Sequence, residues 1–172
     1  MKNVRAISKV LFLLCRGYGA LMLLVAVYTA GVLWIGDGTD LLVRLPGGRF
    51  TISYPFSHTA FLIGDFGLSS VSIMLSVLVG YGVFALLLGN VFKVFRNEKL
   101  FTAEGVRALA LFYRVNFVVP VGALLIAALA GLEIKDFLVL TVLHGIIGIF
   151  AWFMANIFKQ GVALQDEQDQ TL

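Results

Sequence analysis

Four long apolar stretches take up more than half of this chain. They cover Val10–Ile35, Val71–Phe92, Ala108–Gly131 and Phe137–Phe158. Each has about 20 residues or more, which is the length that a helix needs to cross a hydrocarbon core of ~30 Å. Hydrophobic residues make up 60% of the 172 residues and charged residues 13%, whereas soluble domains have about 25% charged residues. The sequence therefore predicts one all-α membrane domain, an antiparallel bundle of four transmembrane helices.

Short polar segments connect and follow these spans. They are an outer loop (36–70), an inner loop (93–107), a tight turn (132–136) and a C-terminal tail (159–172). The tight turn makes the last two spans a helical hairpin. In the inner loop, Thr102 is a predicted N-cap for the third helix, with Glu104 in its first turn.

The basic residues are distributed unequally between the two sides. One side carries Lys2, Arg5, Lys9, Lys93, Arg96, Lys99, Arg107 and Lys159, and the other carries Arg44, Arg49 and Lys135. The positive-inside bias therefore predicts that both termini are cytoplasmic. The first span resembles a signal peptide, but it is longer than the apolar region of one. Tyr28 also occupies a position where a cleavage site needs a small residue, so we expect the span to stay uncleaved.

The outer loop has the period of β-structure. Apolar residues alternate over 41–45 and again over 50–54, on either side of a Pro46-Gly47-Gly48 turn signal. This predicts a small extracytoplasmic β-hairpin. An isolated hairpin is marginally stable, so it should rest on the outer helix ends, on the segment 56–66, or on a second subunit. It would act as a sensor or docking cap, or as a lid that only covers helix ends.

The spans lack the residues that most membrane chemistry requires. No Asp or Glu lies within them, which argues against proton- or sodium-coupled carriers. Cys15 is the only cysteine, and His58 and His144 are far apart, so no metal-ligand spacing is present. We therefore expect no enzyme activity, cofactor or metal. The basic residues form no stripe, so direct nucleic-acid binding is not expected either.

Polar side chains do occur toward the inner ends of all four spans. They are Arg16, Asn90, Arg114, Asn116 and Asn156. The two arginines lie at similar depths, roughly 10 Å inside the cytoplasmic edge. This arrangement predicts an electropositive inner-leaflet pocket for an anionic lipid headgroup, a small metabolite or a carboxylate. The alternative is that the arginines snorkel to lipid phosphates and the asparagines cap helix ends.

His144 is the one titratable histidine within a span. It would be a proton-sensing group with a partner such as Tyr28 or Ser72. The alternative is an ordinary hydrogen bond between helices.

The inner loop and the tail share features with a known family. The loop contains Phe101, Thr102, Glu104 and Arg107, and the tail contains Phe158, Gly161, Leu164, Glu167, Asp169, Thr171 and Leu172. These segments resemble the bacterial membrane-protein family known as domain of unknown function 2975, and the span layout is similar over nearly the whole chain. Gln168 and Gln170 depart from its more acidic C-terminal end. The resemblance implies a four-span bacterial inner-membrane protein, often encoded beside a small helix-turn-helix regulator.

These observations favour a sensory or regulatory membrane protein with a cytoplasmic partner. The tail acids Asp166, Glu167 and Asp169 would dock on basic residues of this chain or on a basic partner. One alternative is a small transporter or channel subunit, which would need to act as a homo-oligomer. Another is an immunity or scaffold protein that binds a second membrane protein.

Overall fold

The computed structural model describes residues 2–36, 40–96 and 99–170. Its helices are α1 (Lys2–Ile35), α2 (Leu68–Val94), α3 (Ala103–Leu129) and α4 (Ile134–Gln170), and its strands are β1 (Leu42–Leu45), β2 (Arg49–Ser53) and β3 (Ala60–Asp65). All four helices are long and apolar enough to cross a membrane, as predicted. Many of their large apolar side chains are exposed, which is the arrangement expected when lipid rather than water surrounds a helix.

The chain divides into two compact units. The sheet unit is Cys15–Leu86, and the helical-hairpin unit combines Met1–Leu14 with Leu87–Leu172. The sheet unit contains the three strands and the ends of α1 and α2 that flank them. The helical-hairpin unit contains α3 and α4 together with the other ends of α1 and α2.

The outer loop forms a three-stranded antiparallel sheet in the order β1-β2-β3. The predicted hairpin is confirmed as β1 and β2, with Leu42 opposite Ile52 and Leu45 opposite Arg49. Its turn places Gly47 and Gly48 at φ of 80° and 76°, a conformation that glycine adopts without strain. The two-stranded prediction was incomplete, because part of the segment 56–66 pairs with β2 as a third strand.

One face of this sheet packs against the ends of α1 and α2. Phe50 and Ile52 are completely buried, and they form a core with Val32 of α1 and Leu42 of β1. The Tyr28 hydroxyl of α1 donates a hydrogen bond to the Ser53 carbonyl oxygen at 2.7 Å. The third strand and this helix packing supply the support that an isolated hairpin lacks.

Two small residues let α1 and α2 approach closely within the sheet unit. A Cβ at Gly19 would lie 2.9 Å from the Gly82 carbonyl oxygen, and one at Gly82 would lie 2.9 Å from the Leu23 side chain. Small residues at such crossings allow the backbone contact on which helix association in lipid depends. Gly80, two residues before Gly82, faces open space instead.

In the helical-hairpin unit, α3 packs along α4. The α3 helix begins at the predicted N-cap, where the Thr102 hydroxyl accepts a hydrogen bond from the Gly105 amide at 3.1 Å. It ends at Leu129. Gly131, two residues later, has φ 67°, and the Leu132 amide donates a hydrogen bond back to the Ala127 carbonyl at 2.9 Å. This left-handed glycine closure reverses the chain within a few residues, so the two helices run antiparallel.

The α4 helix is the longest element, with 37 residues. It contains the predicted fourth span, Phe137–Phe158, and continues without a break to Gln170. At 1.5 Å per residue, the part after Phe158 extends roughly 18 Å farther. The predicted tail is therefore helical over its described length; Thr171 and Leu172, which complete its family-like pattern, lie outside the described residues.

Candidate functional site: the inner loop and the C-terminal part of α4

Three aromatic rings join the loop between α2 and α3 to α4. Phe158 of α4 is almost fully buried, with 1% of its surface exposed. Its ring centroid lies 5.7 Å from that of Phe95 and 5.3 Å from that of Phe101, both in edge-to-face geometry. Such pairs are favourable beyond the area that they bury. We refer to Phe95, Phe101 and Phe158 as the aromatic cluster.

Two glycines make this close packing possible. A Cβ at Gly161 would overlap the ring of Phe101, so only glycine allows that ring to lie directly on the α4 backbone. A Cβ at Gly105 would lie 2.7 Å from Val94 Cγ1 and 3.3 Å from the Phe158 ring. The inner loop is therefore fitted against α4 at the point where α4 leaves its predicted span.

This packing brings together the two segments that carry the family resemblance. Phe101 and Thr102 belong to the inner-loop pattern, and Phe158 and Gly161 belong to the C-terminal pattern. The sequence shows both patterns but not their contact. The sequence does contain a signal for this contact. Phe158 and Gly161 are one helical turn apart on α4, a spacing that leaves room for an aromatic ring from the inner loop.

The acidic residues of α4 lie beyond this contact. Asp166, Glu167 and Asp169 are exposed on the last turns of the helix, and Leu164 near them is 61% exposed. Successive helical residues are about 100° apart, so these carboxylates fan around the helix rather than forming one narrow stripe. They form an acidic, partly apolar helical end that a basic protein surface would complement.

A cleft lies beside the aromatic cluster, between the end of α2 and the start of α3. It has a volume of about 340 Å³, and Asn90, Lys93, Glu104, Arg107 and Leu111 are among its lining residues. Lys93 and Glu104 form an ion pair of 3.1 Å across it. Both side chains are more than half exposed, so this pair contributes little to stability.

The residues of the predicted inner-leaflet pocket have different surroundings. Asn90 lines the cleft, whereas Asn116 is buried between α3 and α4. Arg114 is exposed, with its guanidinium 6.0 Å from the Tyr113 ring centroid. Asn156 is exposed and donates to the Trp152 carbonyl at 2.9 Å.

Arg16 is exposed on α1 in the sheet unit. A shared ligand pocket formed by these five residues stays a prediction.

His144 is hydrogen-bonded to Asn116 across the helical hairpin. The distance from His144 Nδ1 to Asn116 Oδ1 is 2.7 Å, and Asn116 Nδ2 donates to the Phe112 carbonyl at 2.8 Å. Because Oδ1 can only accept, Nδ1 of His144 is the donor in this arrangement. Asn116 is therefore a partner of His144, and the alternative of a hydrogen bond between helices is confirmed. Proton sensing by His144 stays a prediction.

The tight turn gives a sequence signal for this pairing. Residues at similar distances from the turn lie at the same level in an antiparallel hairpin, and Asn116 and His144 are nearly equidistant from Gly131. The next polar contact agrees with this register, since the Thr141 hydroxyl lies 3.1 Å from the Pro120 carbonyl. The pairing of Asn116 with His144 follows from this register and not from depth in the membrane alone.

Four apolar helices with largely exposed apolar side chains indicate a multi-pass membrane protein. Within the described ranges, no group of three or more His, Cys, Asp or Glu residues is arranged to hold a metal ion. No protein-family model matches the chain, and no significant match occurs among curated proteins or solved structures.

Proposed function

We propose that this chain is a non-enzymatic regulatory protein of the bacterial inner membrane that controls a cytoplasmic protein through the C-terminal part of α4. The observation that carries the proposal is the unbroken α4 helix, which continues past its predicted span and ends in exposed acids. The positive-inside bias supports a cytoplasmic location for that end. The resemblance to domain of unknown function 2975 supports the bacterial inner membrane.

A continuous helix is a suitable element for passing a signal out of a membrane. A flexible tail would lose any displacement of the span within a few residues, whereas a helix moves as one piece. The aromatic cluster also ties α4 to the loop between α2 and α3 through Phe101 and Phe158. A shift of α2 or α3 in the membrane would therefore move the acidic end.

The charge of that end defines the chemistry of the partner. Between Lys159 and Gln170 the helix carries one base and three acids, so it favours a positively charged surface. A small DNA-binding regulator has such a surface, and the acidic helix would compete with DNA for it. This is the partner class that the family resemblance also implies.

Crosslinked pull-down from native membranes tests this proposal. The test protein carries Asp166→Asn, Glu167→Gln and Asp169→Asn. The matched control removes the same charge elsewhere, with three substitutions at exposed acids: Asp40→Asn, Glu133→Gln and Asp136→Asn.

We expect the control to retain the captured cytoplasmic protein and the test protein to lose it, with the capture of the control weakening as salt is raised. Equal capture by both proteins would overturn the proposal. Matching helical circular dichroism of the two purified proteins ensures that the comparison concerns binding rather than folding.

A further inference from the structure

The turn between β2 and β3 holds an aromatic residue in a strained conformation. The Ser57 amide donates to the Tyr54 carbonyl at 3.1 Å, and the Tyr54 amide donates to the Thr59 carbonyl at 3.0 Å. Pro55 and Phe56 are the central residues, and Phe56 has φ 64°. This is the position of a type II turn that glycine or asparagine normally occupies. A bulky side chain there is strained, and such strain marks functional sites more often than ordinary loops.

The same side chain is fully exposed. Phe56 has a relative exposure of 106%, the highest among the large apolar residues that are exposed. The Tyr54–Thr59 segment contains no Lys, Arg, Asp or Glu. The hydrogen bonds of the turn thus hold a large aromatic ring away from the protein, at the tip of a loop without Lys, Arg, Asp or Glu.

The position of the turn indicates what the ring contacts. Ser53, directly before the turn, accepts the hydrogen bond from Tyr28 of α1, and Phe61 lies 4.8 Å from Tyr54 and 6.2 Å from Tyr28 between ring centroids. Tyr28 precedes the last residue of α1, Ile35, by about two helical turns, or roughly 10 Å along the axis. This end of the sheet therefore lies beside α1 rather than beyond its end.

Large apolar residues of α1 that precede and follow Tyr28 in the chain are exposed. Val27, Trp34 and Ile35 are 71%, 91% and 72% exposed, and all three belong to the predicted first span. Tryptophan near the end of a span is typical of the boundary between lipid and water. Phe56 and Tyr54, which are 106% and 47% exposed, add aromatic surface to the same unit.

We propose that the Tyr54–Thr59 turn is an interfacial anchor, in which Phe56 inserts into the outer lipid–water boundary of the bilayer that α1 crosses. Insertion removes the exposed ring from water and offsets the strain of its backbone. The anchor fixes the sheet on the membrane surface independently of any partner at the C-terminal part of α4.

Depth-dependent fluorescence quenching tests the anchor in the full-length protein. Phe56→Trp is introduced with Trp34→Phe and Trp152→Phe, so that position 56 carries the single tryptophan. The reference protein carries only Trp152→Phe and therefore reports from Trp34. Both are reconstituted in phosphatidylcholine vesicles with bromine atoms close to the headgroups.

We expect tryptophan at position 56 to be quenched by the brominated lipid, as Trp34 is. Quenching of position 56 only by soluble acrylamide would show that it faces water and would overturn the proposal. Protection from both quenchers would show that protein, such as a second copy of the chain, covers it, and would overturn the proposal as well.

A labelling experiment tests the consequence for the sheet. His58→Cys, with Cys15→Ser, places the only thiol in the turn, where it reacts with a membrane-impermeant maleimide. Adding Phe56→Gly relaxes the backbone but removes the ring. We expect the labelling rate to rise several-fold with Phe56→Gly and to stay unchanged with Phe56→Trp, and equal rates in all three proteins would contradict the anchor.

Discussion

The hydrogen bond between Asn116 and His144 allows a quantitative test of the helical hairpin. Asn116 is 2% exposed and its Oδ1 atom lies 2.7 Å from His144 Nδ1. Hydrogen bonds between membrane helices contribute ~0.6 kcal/mol on average and at most ~1.7 kcal/mol. A short bond to a buried residue belongs in the upper part of this range. We expect a coupling free energy of about 1–1.5 kcal/mol, up to roughly a tenfold change in the unfolding equilibrium constant.

A double-mutant cycle isolates this contribution. The four proteins are the wild type, Asn116→Ala, His144→Ala and the combination of both. His144 has further interactions, so its single substitution alone would measure more than the pair. Subtracting the two single effects from the double effect removes those other terms.

Asn156 provides a matched control on the same helical hairpin. It makes the same side-chain bond to the carbonyl four residues earlier, Trp152 at 2.9 Å, but it is exposed. We expect Asn156→Ala to change the free energy of unfolding by less than about 0.5 kcal/mol. We also expect no coupling between Asn156 and His144.

Reversible unfolding in mixed detergent micelles, followed by circular dichroism as the fraction of denaturing detergent is raised, measures all of these free energies. Sites that do not interact show coupling free energies of up to about 0.3 kcal/mol. A value below this for Asn116 and His144 would therefore refute the reasoning.

Three further predictions concern the inner loop. Thr102→Ala removes the N-cap of α3, so we expect a loss of about 1 kcal/mol in the same unfolding assay, largely restored by Thr102→Ser. Gly161→Leu places a side chain where the Phe101 ring lies, so we expect destabilisation of about 1–3 kcal/mol, which Phe101→Ala in the same protein should partly relieve. Substitution of Lys93 or Glu104 by alanine should cost no more than ~1 kcal/mol, an effect that falls further at high salt; a larger salt-insensitive loss would contradict the exposed geometry of the pair.

Local sequence patterns account for the elements that the sequence predicts well. The apolar stretches give the four helices, because their length and composition depend on neighbouring residues alone. The Pro46-Gly47-Gly48 turn and the alternation around it give β1 and β2. Thr102 gives the start of α3. Each of these features is decided within about 20 residues of chain.

Features that depend on packing between distant segments were missed. The third strand was missed because the segment 56–66 lacks a clean alternation, and only pairing with β2 makes Ala60–Asp65 a strand. Asn116 was not predicted as a partner of His144, because their pairing depends on the register of the helical hairpin. Gly161 was noted only as part of a family-like pattern, and its contact with Phe101 was not foreseen.

By itself, the sequence determined that four helices are long and apolar enough to cross a membrane, and that polar residues concentrate at particular ends of them. These properties depend on the length of each stretch and on the free energy of transferring its side chains from water to lipid. Both are obtained by adding up contributions of consecutive residues. Only the tertiary structure decided that Asn116 meets His144, that Phe101 lies on Gly161, and that Phe56 is held outward in a strained turn. Those features depend on which backbones approach each other, and steric fit between segments far apart in the chain fixes that approach.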